Sequence, residues 1–285
     1  MNNSNSTEFD LVIKPGAVEK NYWQDIWRFR ELFYILTWRD LKVRYKQTVL
    51  GVAWSVLRPL LSTIIFSVLF GRIARLGSEV PQQFYLVFVF AAMLPWQFFS
   101  NALAESSNSI VQNSNLITKI YFPRIIVPAS TVIVSLVDFM ISFVLLLGMF
   151  VIYGLTPSWK MIFLPGFLLM AFLAAFGIGL LLTAVNVKYR DFRFVMPFII
   201  QFGMFLSPVA YSSLVVQQNF GIEARMLYSI NPLVGVIDGF RWAIFGQDNI
   251  LFLPGLLISA GVTFIMLWVG VRYFRRTEKG FADTI

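Results

Sequence analysis

The residues that are able to do chemistry in this sequence are few, and most are charged. Arg58 and Asp138 lie inside long apolar runs, and Glu105 lies at the end of another. An ionisable group at membrane depth is costly, so it must pair, face water or reach the interface. We therefore hypothesise an ion pair between Arg58 and Asp138, with snorkelling of Arg58 or a wet pore as alternatives.

Several kinds of catalysis are excluded by residue type. Histidine and cysteine are both absent from the 285 residues. Imidazole acid–base catalysis, thiolate nucleophiles, disulfides and Cys/His metal sites therefore cannot be built. The GxxxxGK[ST] loop that holds nucleotide phosphates is absent too, so the chain does not bind ATP in that mode. An ion-coupled carrier usually has several ionisable groups along its path, so energy for transport is expected to come from elsewhere.

A basic run flanked by tryptophan precedes the first apolar segment. Lys and Arg bind phosphate through charge and directed N–H donors, which suits the pyrophosphate headgroup of a lipid-linked substrate. Attraction to ordinary anionic phospholipid requires the same residue types and is the alternative. The candidate headgroup residues are Trp38, Arg39, Lys42, Arg44 and Lys46.

The composition is typical of a membrane protein. Hydrophobic residues make up 58% of the chain and charged residues 13%, and the mean hydropathy is +0.71. These values exclude a disordered chain, a nucleic-acid-binding domain and an ordinary soluble enzyme. Six apolar segments each reach the ~20 residues needed to cross a bilayer, which predicts an all-α integral membrane protein with six transmembrane helices. The predicted spans are Leu50–Gly71, Phe84–Ala104, Ile125–Tyr153, Ile162–Val187, Phe194–Val216 and Leu251–Tyr273.

The chain is predicted to have three parts. Residues 1–21 form a polar tail without the features of a signal peptide. Residues 22–48 form an amphipathic helix and a basic linker, and residues 49–285 form the membrane domain. The helix is expected to lie in the membrane interface, or alternatively on a soluble partner. Its apolar stripe consists of Tyr22, Ile26, Phe29, Phe33 and Leu36.

A further apolar stretch, Ile230–Gly246, is too short and too charged to be a span, since it contains Asp238 and Arg241. We expect a re-entrant or interfacial segment whose backbone is sheltered by protein or water. Counting Lys and Arg in the loops, the termini and the span ends gives 17 on one side of the membrane and five on the other, with Arg58 inside the first span. The positive-inside rule then puts both termini in the cytoplasm, in agreement with an even number of spans.

Five stretches of the sequence resemble one family when they are taken in order. They are Thr37–Pro59, Asn115–Arg124, Asn186–Asp191, Asn231–Arg241 and Phe274–Asp283. Together they resemble the permease subunits of ABC-2-type exporters that handle bacterial surface polysaccharides such as O-antigen, capsule and teichoic acid. The resemblance covers nearly the whole chain.

The resemblance implies a transport subunit that catalyses no reaction itself. Two copies would form a homodimeric pore in the bacterial inner membrane, with two copies of a separate ATPase subunit that binds ATP and Mg. The cargo would be a lipid-linked polysaccharide, and no nucleic acid is involved. Three alternatives stay open: an ABC-2 permease for a drug or small lipid, a membrane-embedded lipid-modifying enzyme, and an ATP-independent lipid carrier or scramblase.

The resemblance also implies that Asn113–Arg124 is a coupling helix that docks on the ATPase. Apolar residues at helical spacing beside cations suit such a contact, and an ordinary membrane-surface helix is the alternative. Ile117→Asp is then expected to uncouple transport without unfolding the protein. A second ATPase contact is expected between spans four and five, with a positive-inside anchor as the alternative. The candidates are Leu116, Ile117, Lys119, Ile120, Tyr121 and Arg124 in the first segment, and Tyr189, Arg190 and Asp191 in the second.

Aromatic side chains are weak candidates to line a pore for a sliding sugar chain, because sugars stack on aromatic faces. Anchoring at the membrane interface and packing between helices are the alternatives. The candidates are Trp96, Phe98, Phe99, Phe202, Phe205 and Tyr211. Four glycines are expected instead to permit close helix approach: Gly177, Gly179, Gly261 and Gly270.

Overall fold

The computed structural model describes residues 22–46, 51–73, 81–189 and 191–281. Every regular element in these ranges is helical, which confirms the all-α prediction. The first six helices are α1 Tyr22–Arg28, α2 Arg30–Lys46, α3 Gly51–Phe66 with a π-helical continuation over Ser67–Ile73, α4 Tyr85–Gln112, α5 Ser114–Lys119 and α6 Ile126–Tyr153. The others are α7 Leu164–Lys188, α8 Phe192–Phe205, α9 Ser213–Phe220, α10 Ile222–Tyr228, α11 Pro232–Phe245 and α12 Leu253–Thr277.

Five of the six predicted spans are present as long apolar helices. Short 3₁₀ turns extend three of them, at Gln82–Phe84, Trp159–Phe163 and Glu278–Gly280. Each of the five is long and apolar enough to cross a bilayer, so the protein is a multi-pass membrane protein. The observed spans are Ala53–Ile73, Gln82–Gln112, Ile126–Tyr153, Trp159–Lys188 and Leu253–Gly280.

The fifth predicted span, Phe194–Val216, has a different extent in the structure. Its apolar helix α8 covers only Phe192–Phe205. At about 1.5 Å per residue α8 is roughly 21 Å long, against ~30 Å for a bilayer core. The helix ends because Pro208 has no backbone N–H and disfavours helical backbone at Ser207. The second half of this prediction is therefore wrong, and Val216 belongs to the separate short helix α9.

Helix α4 forms the centre of the bundle. It is buried along most of its length and packs against α6 and α7. α3 and α12 lie at the periphery and expose large apolar side chains, for example Ile65 and Phe264. Such continuous apolar faces are suited to lipid or to another protein rather than to water.

Three of the four glycines permit close helix contact, as predicted. A Cβ on Gly270 would lie 2.0 Å from the carbonyl oxygen of Gly177, so α7 and α12 touch backbone to backbone. A Cβ on Gly179 would lie 2.4 Å from Oγ of Ser106 on α4. Gly261 has no neighbour within 4 Å in the described part of the chain, so the prediction is wrong for this residue.

The apolar stripe predicted for the N-terminal helix packs on the chain itself. Tyr22 and Leu36 are buried in a cluster that includes Ile117 of α5 and Phe274 of α12. The Tyr22 hydroxyl also donates a hydrogen bond of 3.0 Å to Oε2 of Glu278. α1, α5 and the C-terminal end of α12 therefore share one end of the bundle, which we call the α5 end.

The outer face of α1 and α2, which together occupy the region of the predicted N-terminal helix, carries exposed aromatic side chains. Trp23, Trp27 and Trp38 are exposed, and Lys42 lies over the ring of Trp38 with 5.2 Å between Nζ and the ring centroid. Aromatic and basic residues on one helix face are typical of a helix at a membrane interface. The helix therefore buries one face on its own bundle and presents the other outward.

The opposite end of the bundle is built by α9, α10 and α11. α11 occupies the stretch predicted not to span, and most of its side chains are buried, so the expectation that protein shelters its backbone is confirmed. Pro232 begins the helix, and Oδ1 of Asn231 caps it by accepting a hydrogen bond from the N–H of Leu233 (3.0 Å). Gly246, with φ of +71°, ends it.

Candidate functional site

The apolar face predicted for α5 is partly buried and partly exposed in the structure. Ile117 is only 4% exposed and packs inside the bundle, and Leu116 is half-buried. Ile120 and Tyr121 are instead 53% and 45% exposed. Ile117 therefore holds α5 on the bundle, so an aspartate at this position would disturb the chain itself. Among the apolar residues predicted for the surface around α5, Ile120 and Tyr121 are the most exposed.

The other residues predicted for this surface lie at the same end. Lys119 is exposed at the end of α5, and Arg124 is half-buried before α6. Val187, near the end of α7, belongs to the same buried cluster as Ile117. The end of α7 therefore lies beside α5.

The segment after α7 adds two exposed residues to the α5 end. Tyr189 ends α7 and is 55% exposed, with Nζ of Lys188 lying 5.2 Å from its ring centroid. Asp191 is exposed at the start of α8. Arg190 lies outside the described residues.

Four of the five residues predicted to bind a lipid headgroup line one open pocket on α2, and Arg44 does not; the four are Trp38, Arg39, Lys42 and Lys46. Arg39 pairs with Asp40 at 2.7 Å and donates a hydrogen bond of 2.8 Å to Oδ1 of Asn113 at the end of α4. Lys42 lies over Trp38, as described above. Both contacts leave these groups at the surface of the α5 end, where a phosphate is able to reach them.

Arg44 differs from its neighbours because it is turned into the bundle. Lys46 is exposed, whereas Nη1 of Arg44 lies 2.8 Å from Oδ2 of Asp138 and Nη2 lies 2.9 Å from Oε1 of Glu105. One guanidinium thus bridges carboxylates on α6 and α4. Its fork of N–H donors suits two carboxylates at once.

Asp138 receives two further donors. Its Oδ1 accepts hydrogen bonds from Oγ of Ser55 (2.9 Å) and from the hydroxyl of Tyr45. Burial, and then the hydrogen bond to Asp138, raise the pKa of Tyr45 to about 12, so the hydroxyl stays a donor at neutral pH. We call Arg44, Tyr45, Ser55, Glu105 and Asp138 the Arg44 network.

The hypothesised ion pair between Arg58 and Asp138 is wrong, because Arg44 occupies that position. Arg58 is exposed on α3 and makes no ion pair within the described ranges. Both residues nevertheless line one cavity of about 310 Å³ between α3, α4 and α6. The cavity also contains polar side chains that the sequence analysis did not single out, namely Gln97 and Asn101. They recur every fourth residue with Glu105, which was the signal available.

Five of the six aromatic candidates fall into two groups, and the sixth, Tyr211, has its hydroxyl 2.9 Å from that of Tyr228 on α10. Trp96, Phe98 and Phe99 are buried in the core, and Phe98 also borders the cavity. Phe202 and Phe205 are 65% and 54% exposed on α8. The first group packs between helices, whereas the second is placed to contact lipid, a partner or a pore.

A buried arginine dominates the opposite end of the bundle. Arg241 is fully buried and donates hydrogen bonds of 2.7 Å to the backbone carbonyls of Pro208, Val209 and Tyr211. Its guanidinium carbon lies 3.6 Å from the ring centroid of Phe88. These carbonyls belong to the segment where α8 has ended, so the side chain replaces the missing helical donors. We call this the Arg241 network.

A second buried cation supports α11 from the other side. Arg225 is 3% exposed, donates to Oγ of Ser213 (3.0 Å) and lies 3.7 Å from Oδ2 of Asp238. Ser213 in turn donates to Asp238. The sequence analysis placed Asp238 and Arg241 in a sheltered segment, but it assigned them no partners.

A sequence profile of the family described as ABC-2 type transporter matches residues 31–245, from α2 to the end of α11. The chain belongs to the ABC-2 type transporter family. The resemblance drawn from five short stretches is thereby confirmed, and the bundle described above is an ABC-2 membrane domain.

Several relatives of this ABC-2 chain match it almost from end to end. The O-antigen export system permease protein RfbA of Myxococcus xanthus is 28% identical over 263 residues, covering 92% of this chain and 98% of that protein. The protein of the same name from Klebsiella pneumoniae is 27% identical over 256 residues, covering 90% and 95%. The polysialic acid transport protein KpsM of Escherichia coli is 24% identical over 254 residues, covering 85% and 91%.

Proposed function

We propose that this chain is the membrane subunit of an ATP-driven exporter that moves a lipid-linked, O-antigen-like polysaccharide across the bacterial inner membrane. The observation that carries the proposal is the similarity to O-antigen export permeases, which covers 98% of the Myxococcus protein and 95% of the Klebsiella protein. The more distant relative is named for polysialic acid, which is also a polysaccharide. Relatives that are 28%, 27% and 24% identical to this chain are thus all named for the transport of a polysaccharide.

The energy for this export comes from two copies of a separate ATPase subunit, which bind ATP and Mg. The sequence contains no phosphate loop of its own. Ile120 and Tyr121 offer the kind of exposed apolar surface, beside the charge of Lys119, that fits a groove on a partner. The α5 end lies in the cytoplasm, since it belongs to the side with 17 of the Lys and Arg residues.

A second copy of the chain completes the pore. The exposed apolar faces of α3 and α8 support this part of the proposal, with Ile65 on the first helix and Phe198 and Phe202 on the second. Such faces bind either lipid or an equivalent face on another copy.

Deletion of the gene, followed by complementation, tests the function as a whole. Loss of the surface glycan on deletion is expected, together with co-purification of a Walker-motif protein that has vanadate-sensitive ATPase activity. An unchanged glycan with loss of efflux of a drug or lipid would instead indicate another cargo. A chain that purifies alone, with transport that does not depend on ATP, would favour a carrier or scramblase.

A matched pair of variants tests the ATPase contact. Ile120→Asp is expected to reduce export and transport-coupled ATPase activity about tenfold or more without lowering the melting temperature, because Ile120 is 53% exposed. Ile117→Asp is expected to destabilise the chain by about 3 kcal/mol or more, because it buries an unpaired carboxylate. Normal coupling in a folded Ile120→Asp variant would rule out this surface as the docking site.

A further inference from the structure

The cavity between α3, α4 and α6 contains polar side chains that have no hydrogen-bond partner among the described residues. The side-chain amides of Gln97 and Asn101 are half-buried and make no hydrogen bond within the described ranges. The guanidinium of Arg58 makes no ion pair or hydrogen bond there either. Unsatisfied polar groups are costly at membrane depth, so the site must hold water or a polar ligand.

The cavity lies deep in the membrane domain. At about 1.5 Å per residue, Asn101 lies roughly 17 Å from the end of α4 at Gln112. It is open on the outside of α3, because Trp54 is 49% exposed and Arg58 is exposed as well. Its volume of about 310 Å³ is within the range of ~300–1,000 Å³ that is usual for ligand pockets.

The charges of the lining indicate which kind of ligand fits. Two cations, Arg44 and Arg58, face two carboxylates, Glu105 and Asp138, so the lining has no net charge. A phosphate would meet both carboxylates at close range and would be repelled by them. A neutral hydroxyl group is able to donate to a carboxylate and to accept from a guanidinium at the same time.

The remaining lining groups also match a sugar. Amide side chains such as those of Gln97 and Asn101 both donate and accept, as sugar hydroxyls do. Trp54 supplies an exposed aromatic face on which the C–H face of a sugar ring is able to pack. We propose that this cavity is a subsite for a neutral sugar unit of the exported glycan, rather than for the phosphate of its lipid carrier. This proposal rests on the proposed function.

The test uses the absence of cysteine from the sequence. Asn101→Cys introduces a single thiol into the cavity, and Asn108→Cys introduces one on the same helix, half-buried but outside the lining. Both are labelled with a methanethiosulfonate reagent in cells that make the glycan and in cells whose glycan synthesis is deleted. We expect Asn101→Cys to react about fivefold more slowly when glycan is made, as a ligand present at a few times its Kd would produce. Asn108→Cys is expected to react equally in both.

Purified chain in nanodiscs separates the sugar from the headgroup. The two probes are the glycan released from its lipid by mild acid hydrolysis and inorganic pyrophosphate. Protection of Asn101→Cys by the released glycan alone is the expected result. Protection by pyrophosphate alone would overturn the sugar assignment, and equal labelling under all conditions would mean a cavity that holds water only.

An export assay distinguishes failure of this inference from failure of the proposed function. Gln97→Met and Trp54→Leu are expected to lower export about tenfold at normal protein level, since the first removes a hydrogen-bonding partner of the sugar and the second removes the aromatic face. Normal export by both variants in a strain where deletion abolishes export would overturn the subsite and leave the proposed function intact. Unaltered export in the deletion strain itself would overturn both.

Discussion

The Arg44 network and the Arg241 network both bring charge into an apolar bundle, but they are completed to different degrees. Arg241 is fully buried, and it donates to three backbone carbonyls and lies over the ring of Phe88. The side chains of Arg44 and Glu105 are 28% and 43% exposed, beside a cavity in which Gln97 and Asn101 have no hydrogen-bond partner among the described residues. A closed network stabilises a structure, whereas an incomplete one in an open cavity is suited to a ligand.

This difference predicts that the largest effect on stability comes from the Arg241 network. Arg241→Met removes the arginine donors from two buried carbonyls and one part-buried carbonyl, and since a buried unpaired carbonyl costs about 1–3 kcal/mol, we expect the chain to fail to accumulate or to melt far below the wild type. Thermal unfolding in detergent is the measurement, with Lys279→Met, at an exposed position, as the control. An unchanged melting temperature would mean that water replaces the arginine and that this end is not sealed.

The Arg44 network is expected to give a smaller effect. Asp138→Asn removes the ion pair with Arg44 while Ser55 remains able to donate, so we expect a loss of about 1–3 kcal/mol. Asp138→Leu combined with Arg44→Met is expected to cost less than the sum of the two single changes, because it removes both charges. A double-mutant cycle on thermal unfolding measures this coupling. Strict additivity would show that the pair contributes nothing in this partly open setting.

The ion pair between Lys160 and Asp248 is expected to contribute least, and the dependence of its contribution on pH gives the measurement. Lys160 and Trp242 donate hydrogen bonds to Asp248 and lower its pKa below the usual value of 3.8, although Asp248 is 86% exposed. A carboxylate with a lowered pKa stabilises the fold above its unfolded pKa, and this stabilisation is lost as the pH falls through the folded value. Compared with Asp248→Asn, the wild type should therefore have a slightly higher melting temperature at pH 6, and the difference should vanish in strong acid. A difference that persisted unchanged at low pH would contradict the assignment to Asp248.

The sequence predicted the helical architecture well, because long apolar runs depend on local composition. It placed five spans, and it recognised that Ile230–Gly246 was too charged to cross. It extended the fifth span through Pro208, because hydropathy alone does not register the loss of a backbone N–H. The family resemblance drawn from the sequence was also confirmed, because several short motifs in a fixed order carry more information than any one of them.

The charge networks could not be predicted, because their partners are distant in sequence. Arg44 and Asp138 are 94 positions apart, and nothing in the local pattern prefers Arg44 to Arg58 as the partner. Similarly, helical spacing put Ile117 and Ile120 on one apolar face, whereas packing of α5 on the bundle buried only the first. Such outcomes depend on which helices are neighbours, and that is decided by the whole fold.

The backbone contact between Gly177 and Gly270 has a mechanical consequence. Most helix pairs are separated by side chains, whose rotamers absorb a small displacement of one helix before the other responds. At this point α7 and α12 meet without side chains between them, because the carbonyl oxygen of Gly177 occupies the space that a Cβ at Gly270 would need. α12 also carries Phe274 in the cluster of the α5 end, and its other end packs on α11. α12 is therefore placed to move as a rigid element, so that a displacement at one membrane face is transmitted to the other.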